Sequence, residues 1–504
     1  MLEGVFTGFS TAFTLTNICM MFIGVVAGTL IGMLPGLGPI SAIALMIPIT
    51  YGFDSASGLI LMAGVYYGAV FGGSTSSILI NAPGVAGTVA TAFDGYPLAR
   101  KGQAGKALAI AAYASFAGGT IGAVFLLLGA PVLAGVSVSF QSADYFALML
   151  MGLAAVSAFA PKGQFLKAMV MTVVGLMLAT VGTDNVSGIQ RFTFGQLNLV
   201  DGISFLLLAM ATFALSEALM MVLEGEDTHL GSPATSDLRQ LKVSKQELKE
   251  IAPTIGRSSV LGFLIGVLPG AGATIASFLA YGMEQAIDSG KSDVQFGKGN
   301  LKGLTAPETA NNAASTGSFV PLLTLGIPGS GTTAVMLGAL ISYGVQPGPQ
   351  LYTENPQVFW SVIISMYLGN VVLLILNLPL IPYIAKLITL PRRFLIPLIL
   401  FFSLIGVYLV SFNTFDIYLM VGFAAVTILL RFLGFPLAPM LLGFVLGGLL
   451  EDNLRRALLI SGGQLDFLWQ RPITLGILVV TVVILLLPFY RRINTCPTTR
   501  EDYH

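Results

Sequence analysis

Two stretches of this 504-residue chain concentrate the side chains that could do chemistry. The first runs Gly72-Gly73-Ser74-Thr75-Ser76-Ser77, then Asn81-Ala82-Pro83-Gly84, then Gly87-Thr88. The second runs Glu308-Thr309-Ala310-Asn311-Asn312, through Ser315, Thr316 and Ser318, to Pro328-Gly329-Ser330-Gly331-Thr332-Thr333. Hydroxyls, amides and carbonyls freed at Pro-Gly steps can coordinate a hard cation such as Na+, and the donors among them can hold carboxylate oxygens. Ser74, Ser76, Asn81, Glu308, Asn311 and Asn312 are therefore the cation-binding candidates. A lone Ser or Thr in an apolar run is more often a close-packing residue. Amides clustered beside helix breaks are not explained that way.

A second kind of break precedes each stretch: Leu34-Pro35-Gly36-Leu37-Gly38-Pro39 and Leu268-Pro269-Gly270-Ala271-Gly272. Pro removes a backbone donor and Gly permits positive φ, so a helix stops here and can restart. In lipid such breaks survive only where protein or a polar cavity satisfies the freed groups. The restarted helix offers unpaired N–H groups and about half a positive charge. That suits an anion without a buried Arg. The substrate-binding candidates are Pro35, Gly36, Gly38, Pro83, Gly84, Thr88, Pro269, Gly270, Gly272, Pro328, Gly329, Ser330, Thr332 and Thr333. The plainer reading of any single break is a packing kink.

The breaks come in pairs. GTLIGMLPGLG at 28–38 and GFLIGVLPGAG at 262–272 match at eight of eleven positions. NAPGVAGT at 81–88 is mirrored by GIPGSGTT at 326–333. The separations, roughly 234 and 245 residues, keep the two pairs in the same order. Gly/Pro-interrupted segments at corresponding positions of two halves point to the binding site of a secondary transporter.

The elements that must carry these motifs are membrane helices. Only 24 Lys+Arg and 24 Asp+Glu are present, where a soluble chain of this length would carry about 126 charged residues. Hydrophobic residues make up 55% and mean hydropathy is +0.86. The expected fold is an all-α polytopic membrane protein with about 12 transmembrane helices, broken or re-entrant segments and two inverted structural repeats. Candidate spans include 106–135, 258–283, 318–343 and 358–390. The division expected is a first repeat half at 1–223, a charged central loop at 224–257, a second half at 258–490 and a polar tail at 491–504. The loop's Arg239, Lys242, Lys245, Lys249 and Arg257 place it on the cytoplasmic side. Residues 242–250 could form a short surface helix. No Lys or Arg precedes Arg100, so the first apolar stretch is expected to stay as a span rather than be cleaved.

Composition also excludes chemistry. Cys19 in an apolar run and Cys496 in a polar tail support neither a disulfide framework nor a Cys metal site, and two histidines, His229 and His504, argue against a His-ligated metal centre or a Ser-His triad. No resident metal is expected beyond a transported Na+, and no cofactor. Balanced charge argues against nucleic acid as a partner. Asp94, Asp144, Asp184, Asp201, Glu217, Glu284, Glu308 and Asp416 adjoin apolar segments. Most fall at span ends, where a solvated or capping role is expected; Asp94 and Glu308 stand out beside the polar motifs. Arg191 reads as a structural loop residue.

Several long motifs resemble the large membrane subunit of tripartite tricarboxylate transporters, the TctA type. They are YYGAVFGGSTSSILI (66–80), NAPGVAGTVATAFDGYPLARKGQAGKALA (81–109), RFTFG (191–195), APETANNAASTGSFVPLLTLGIPGS (306–330) and LPGLGP (34–39). The likeness extends from about residue 20 to 460. It implies a multi-pass permease of the bacterial inner membrane that works with a small membrane subunit (TctB type) and a periplasmic solute-binding protein (TctC type). It also implies carboxylate uptake driven by a cation gradient. One departure is Val85-Ala86, where many members carry an acidic residue after the first Asn-x-Pro-Gly; citrate is therefore not assured as the substrate.

Physics constrains such uptake independently. Bringing a dicarboxylate into a negative interior costs about 4.6 kcal/mol per 100 mV. No GxxxxGK[ST] run is present to cradle ATP phosphates. Na+ or H+ must then enter with the anion, and alternating access would move one unit containing both sites past a stationary scaffold. The alternatives are a passive anion channel and, against the scarcity of His and mid-span acids, a membrane-embedded hydrolase. No enzymatic activity is expected.

Overall fold

The computed structural model describes residues 2–34, 37–137, 139–158, 160, 164–184, 186–224, 241–270, 272–288, 292–378, 380 and 392–493. Helix α1 (Leu2–Ala12) is followed by α2 (Leu15–Gly32), whose first turn is capped by Thr14 Oγ1 accepting from Asn17 N–H. Next come α3 (Gly38–Thr50) and α4 (Ser55–Ile80), the latter capped by Asp54. A single turn at Ala86–Thr88 leads into α5 (Val89–Leu98) and α6 (Ala104–Ser137). Then follow α7 (Ser142–Ala158), α8 (Phe165–Ala179), α9 (Phe205–Ala209) and α10 (Ser216–Glu224). A π turn over Met210–Leu215 joins the last two.

The later part begins with α11 (Lys245–Val267), α12 (Gly272–Asp288) and α13 (Leu301–Gly317). After these come α14 (Phe319–Leu325), α15 (Gly331–Ser342), α16 (Pro349–Glu354) and α17 (Pro356–Asn377). The chain closes with α18 (Arg392–Ser411), α19 (Thr414–Phe432), α20 (Ala438–Ile460), α21 (Phe467–Gln470) and α22 (Pro472–Ile493). A two-residue antiparallel pair, β1 (Gly182–Thr183) with β2 (Gln190–Arg191), departs from the all-α expectation.

Among the described residues, six helices are long and apolar enough to cross a membrane, and six shorter apolar helices accompany them. The span expected at 258–283 is instead the end of α11 and the start of α12, and that at 318–343 is α14 and α15. Pro-Gly steps separate each pair. The short helix expected at 242–250 is the start of the 23-residue α11, fixed by a reciprocal cap between Ser244 and Glu247. Residues 225–240 of the charged segment and the tail beyond Ile493 lie outside the described residues.

Two compact units emerge, and they interleave along the chain. One comprises Met1–Val138 with Ile203–Leu433, the other Ser139–Gly202 with Gly434–His504. In the first unit, α4 is buried from Ala56 to Leu79 and α13 from Gly303 to Gly317. These two helices are shielded from lipid on every side, which is why α13 can be polar. Each packs against a glycine-bearing neighbour at backbone distance. A Cβ on Gly28 or Gly32 of α2 would overlap Val65 O or Ala69 O of α4. On Gly262 or Gly266 of α11 it would overlap Ala310 O or Ala314 O of α13. Met33, Ile78 and Leu79, at the C-terminal ends of α2 and α4, share a core cluster with Ile251 and Leu304, near the N-terminal ends of α11 and α13.

In the second unit, α7, α8, α20 and α22 pack together, with Gly175 and Gly443 making the close approach between α8 and α20. Asp144, expected to have a solvated or capping role, does cap the start of α7, accepting from Gln141 N–H at 2.9 Å, but it is fully buried rather than solvated. Arg471 bonds it at 2.7 Å, and Thr474 at 2.5 Å. Arg191 lies in β2 and pairs with Glu451 at 2.8 Å, while Arg455 pairs with Asp184 at 2.8 Å.

Candidate functional site

Both break pairs lie in the first unit. In the earlier half α2 ends at Gly32, and α3 starts at Gly38 with φ +61°. Pro35 and Gly36 lie outside the described residues. Helix α4 ends on Asn81 in the left-handed conformation, φ +55°. Pro83-Gly84 then folds the chain back so tightly that a Cβ on Gly84 would overlap Gly32 O. In the later half α11 ends before Leu268, Gly270 takes φ +79°, and α12 starts at Gly272 with φ +63°. Helix α14 ends on Gly326 at φ +69°, and Ser330 caps α15 through a reciprocal bond with Thr333. Gly270 N–H donates to Gly329 O at 3.1 Å, which joins the two later breaks directly.

The halves also meet. A Cβ on Gly87 would lie 3.5 Å from Ala273 Cβ and 3.6 Å from Asn311 Cβ. Asn311 Nδ2 donates to Gly87 O at 3.3 Å. Tyr66 Oη, on α4, stands 3.5 Å from Ser330 Oγ. The stretches singled out as polar motifs are therefore neighbours in space, though more than 200 residues separate them in the chain.

Glu308 has no exposed surface. Its Oε2 accepts from Ser74 Oγ at 2.6 Å and Ser115 Oγ at 2.8 Å, and its Oε1 accepts from Thr91 Oγ1. Helices α4, α5 and α6 each supply one hydroxyl to this carboxyl of α13. Asn312 Nδ2 donates to Glu308 O at 3.0 Å and to Asn311 Oδ1 at 2.7 Å, so the two amides form one network with the backbone of Glu308. Among the described residues no Lys or Arg pairs with Glu308.

The remaining candidates divide. Thr88 is fully buried and committed to its own turn, donating to Val85 O at 2.9 Å and accepting from Ser77 Oγ at 2.8 Å. Ser76 Oγ donates to Gly73 O at 3.1 Å. Asn81 is exposed. Thr332 and Thr333 are buried in the first turn of α15, and Thr333 Oγ1 accepts from Ser330 N–H at 2.8 Å. Thr91, Ser115 and Tyr66 are neighbours that motif reading missed. Ser115 sits in an Ala-rich apolar run that carries no local signal, whereas Thr91 lies one helical turn from the conspicuous Asp94.

Asp94 does not reach the Glu308 carboxyl. It is fully buried on α5 and accepts N–H bonds from Gly297 (3.1 Å), Gly299 (2.8 Å) and Asn300 (2.7 Å), with Tyr281 Oη at 3.0 Å. Asn300 in turn caps α13 through Lys302 and Gly303 N–H. Asp94 thus anchors the start of the helix that carries Glu308, Asn311 and Asn312. Glu284, expected to have a solvated or capping role at a span end, is instead buried on α12 and gripped by Nε and Nη2 of Arg257 on α11, at 2.7 and 2.8 Å. That pair clamps the two helices flanking the break at 268–272.

The family model for the tripartite tricarboxylate transporter TctA family matches residues 18–442. In Agrobacterium vitis, an uncharacterized 52.8 kDa protein in the TAR-I ttuC' 3' region is 44% identical over 498 residues, 98% of each chain. An uncharacterized protein in the TAR-II ttuC' 3' region of Agrobacterium vitis is 46% identical over 233 residues, covering 46% of this chain and 96% of its own. No solved structure matches. The chain belongs to the TctA family, a family of membrane transporters.

Proposed function

We propose that this TctA-family chain is the large permease subunit of a binding-protein-dependent secondary transporter that takes up tricarboxylates or related carboxylates by Na+ or H+ symport. Its site would lie in the first unit, with substrate carboxylates at the broken-helix ends and the cation among Ser74, Glu308, Asn311 and Asn312. Its partners would be a small membrane subunit and a periplasmic solute-binding protein, and its place the bacterial inner membrane.

The observation that carries this reading is the meeting of the break pairs: Gly270 with Gly329, Gly84 with Gly32, and Gly87 with Ala273 and Asn311. Gly32, Gly84, Gly87 and Gly329 are buried and Gly270 is partly buried, so protein covers much of the backbone freed at these points, as a polar break within a membrane needs. A duplicated, inverted architecture is supported by two relationships. Gly28 and Gly32 approach Val65 and Ala69 as Gly262 and Gly266 approach Ala310 and Ala314. These pairings follow the same correspondence that aligns 81–88 with 326–333. The shared cluster of Met33, Ile78, Ile251 and Leu304 sets the ends of α2 and α4 beside the beginnings of α11 and α13, so the two helix pairs run oppositely. Alternating access would then expose the breaks to one side of the membrane at a time.

Uptake of labelled di- and tricarboxylates into proteoliposomes, with the partner proteins and with imposed Na+ or proton gradients, tests the proposal. Accumulation is expected under one of the gradients. Equilibration without accumulation under both would make the protein a channel.

A further inference from the structure

Glu308 poses a problem that the symport reading does not by itself solve. A buried carboxylate is costly unless paired. The charged and titratable groups on the helices around it are engaged elsewhere or lie at the protein's edge. On α5, Asp94 is bound by the N–H groups of 297–300. Lys106 of α6 pairs with Glu247 of α11, Arg257 of α11 with Glu284 of α12, and Lys302 of α13 with Asp288 of α12. Lys245, Lys249 and Glu250 of α11 are exposed. The other titratable neighbours are phenols: Tyr66 and Tyr67 on α4, Tyr96 on α5, Tyr113 on α6, Tyr281 on α12 and Tyr367 on α17.

Ser74 Oγ and Ser115 Oγ lie 2.6 and 2.8 Å from Glu308 Oε2, which are hydrogen-bond separations. These oxygens can satisfy both protonation states of the carboxyl without moving. Three hydroxyls donate to the carboxylate. When the carboxyl is protonated on Oε2, its O–H can donate to Ser74 Oγ, whose own hydrogen turns to Val70 O, 3.3 Å away.

Resting on the symport reading, we propose that Glu308 is a coupling-proton site: one proton adds to its carboxylate from the outer aqueous phase and leaves to the inner one in each transport cycle. Thr91, Ser74 and Ser115 are its positioning residues. Any Na+ would then bind elsewhere, and the Asn311–Asn312 amides would serve it or the substrate.

Two measurements test this separately from the reading it rests on. Infrared difference spectra of the full-length protein in lipid, recorded across pH, are expected to show a protonated-carboxyl band that Glu308→Gln removes and Glu308→Asp retains. Identical spectra for wild type and Glu308→Gln overturn the proposal whatever is learned about transport. In proteoliposomes containing the partner proteins, with whichever labelled di- or tricarboxylate the wild type takes up as the probe and the membrane potential clamped at zero, a one-unit pH gradient is worth about tenfold accumulation per coupled proton. That accumulation is expected for wild type and Glu308→Asp and lost in Glu308→Gln. Its persistence in Glu308→Gln overturns the proposal and leaves symport standing. A wild type indifferent to both proton and Na+ gradients overturns the symport reading and, with it, the coupling role; the infrared band then reports only whether the site is protonated.

Discussion

The backbone N–H of Asn300 donates to Asp94 Oδ1 at 2.7 Å, across more than 200 residues of chain. It joins the N–H groups of Gly297 and Gly299 around one carboxylate, while the Asn300 side chain caps the first turn of α13. One helical turn earlier on the same helix, Thr91 reaches Glu308. Helix α5 therefore fixes both the start of α13 and the carboxyl midway along it.

Replacing Asp94 with Asn removes the charge that three N–H donors share. Hydrogen bonds to charged groups contribute about 1.5–3 kcal/mol each, and a neutral acceptor keeps part of that. Asp94→Asn is expected to destabilise by about 2 kcal/mol, and Asp94→Ala by more, with uptake falling in the same order. Thermal unfolding in detergent reports the first effect. An Asp94→Ala protein as stable as wild type would show that the loop holds α13 without it.

Glycine at the helix crossings makes a second prediction. Gly28→Ala and Gly262→Ala place a methyl group where Val65 O and Ala310 O already lie, and overpacking of this kind costs about 1–3 kcal/mol. Gly256, on the same helix as Gly262, has open space around it. Gly256→Ala is expected to be neutral or stabilising by up to about 1 kcal/mol, because Ala is the better helix former. If the three variants melt together, the backbone contacts do not govern this packing.

Asn312 tests the site rather than the scaffold. Its side chain bonds Glu308 O and Asn311 Oδ1, so Asn312→Ala leaves one buried acceptor unpaired, at about 1–3 kcal/mol. Uptake is expected to vanish while membrane insertion and the folded state survive. Normal uptake by this variant would remove Asn312 from the binding site.

A pH dependence follows for Asp184, which lies in the loop that follows β1. Val186 N–H and the Arg455 guanidinium hold its carboxyl well below the usual carboxylate range. Its folded value lies below the unfolded one, so its stabilising contribution is complete above the unfolded value of about 3.9 and is lost only as pH falls further, through the depressed folded value. The melting-temperature difference between wild type and Asp184→Asn should be constant from neutral pH down to about 5 and shrink in stronger acid. A difference that begins to shrink near neutrality would contradict this.

Much of the molecule was legible in the chain because its signals are local. Low charge and long apolar runs specify membrane helices, and Pro-Gly steps specify where they break. At 268–272 and 326–330 the breaks divide what hydropathy alone reads as single spans. The pairing of the breaks was legible because each member keeps the residues that a break needs. Acidic residues were a different matter. Asp144 and Glu284 read in sequence as solvated or capping groups at span ends; each is buried against an Arg whose position no local pattern announces.

What the sequence by itself determined is the membrane class, the family and the places where helices must stop, since each depends on composition or on a few adjacent residues. Only the tertiary structure decided which of the polar residues face one another. Thr91 and Ser115 meet Glu308, Asp94 holds a distant loop rather than joining the site, and Thr88 closes its own turn. The physical reason is that a buried hydroxyl or carboxyl must find its partner in space. Helix packing selects that partner without leaving any mark on the spacing of residues along the chain.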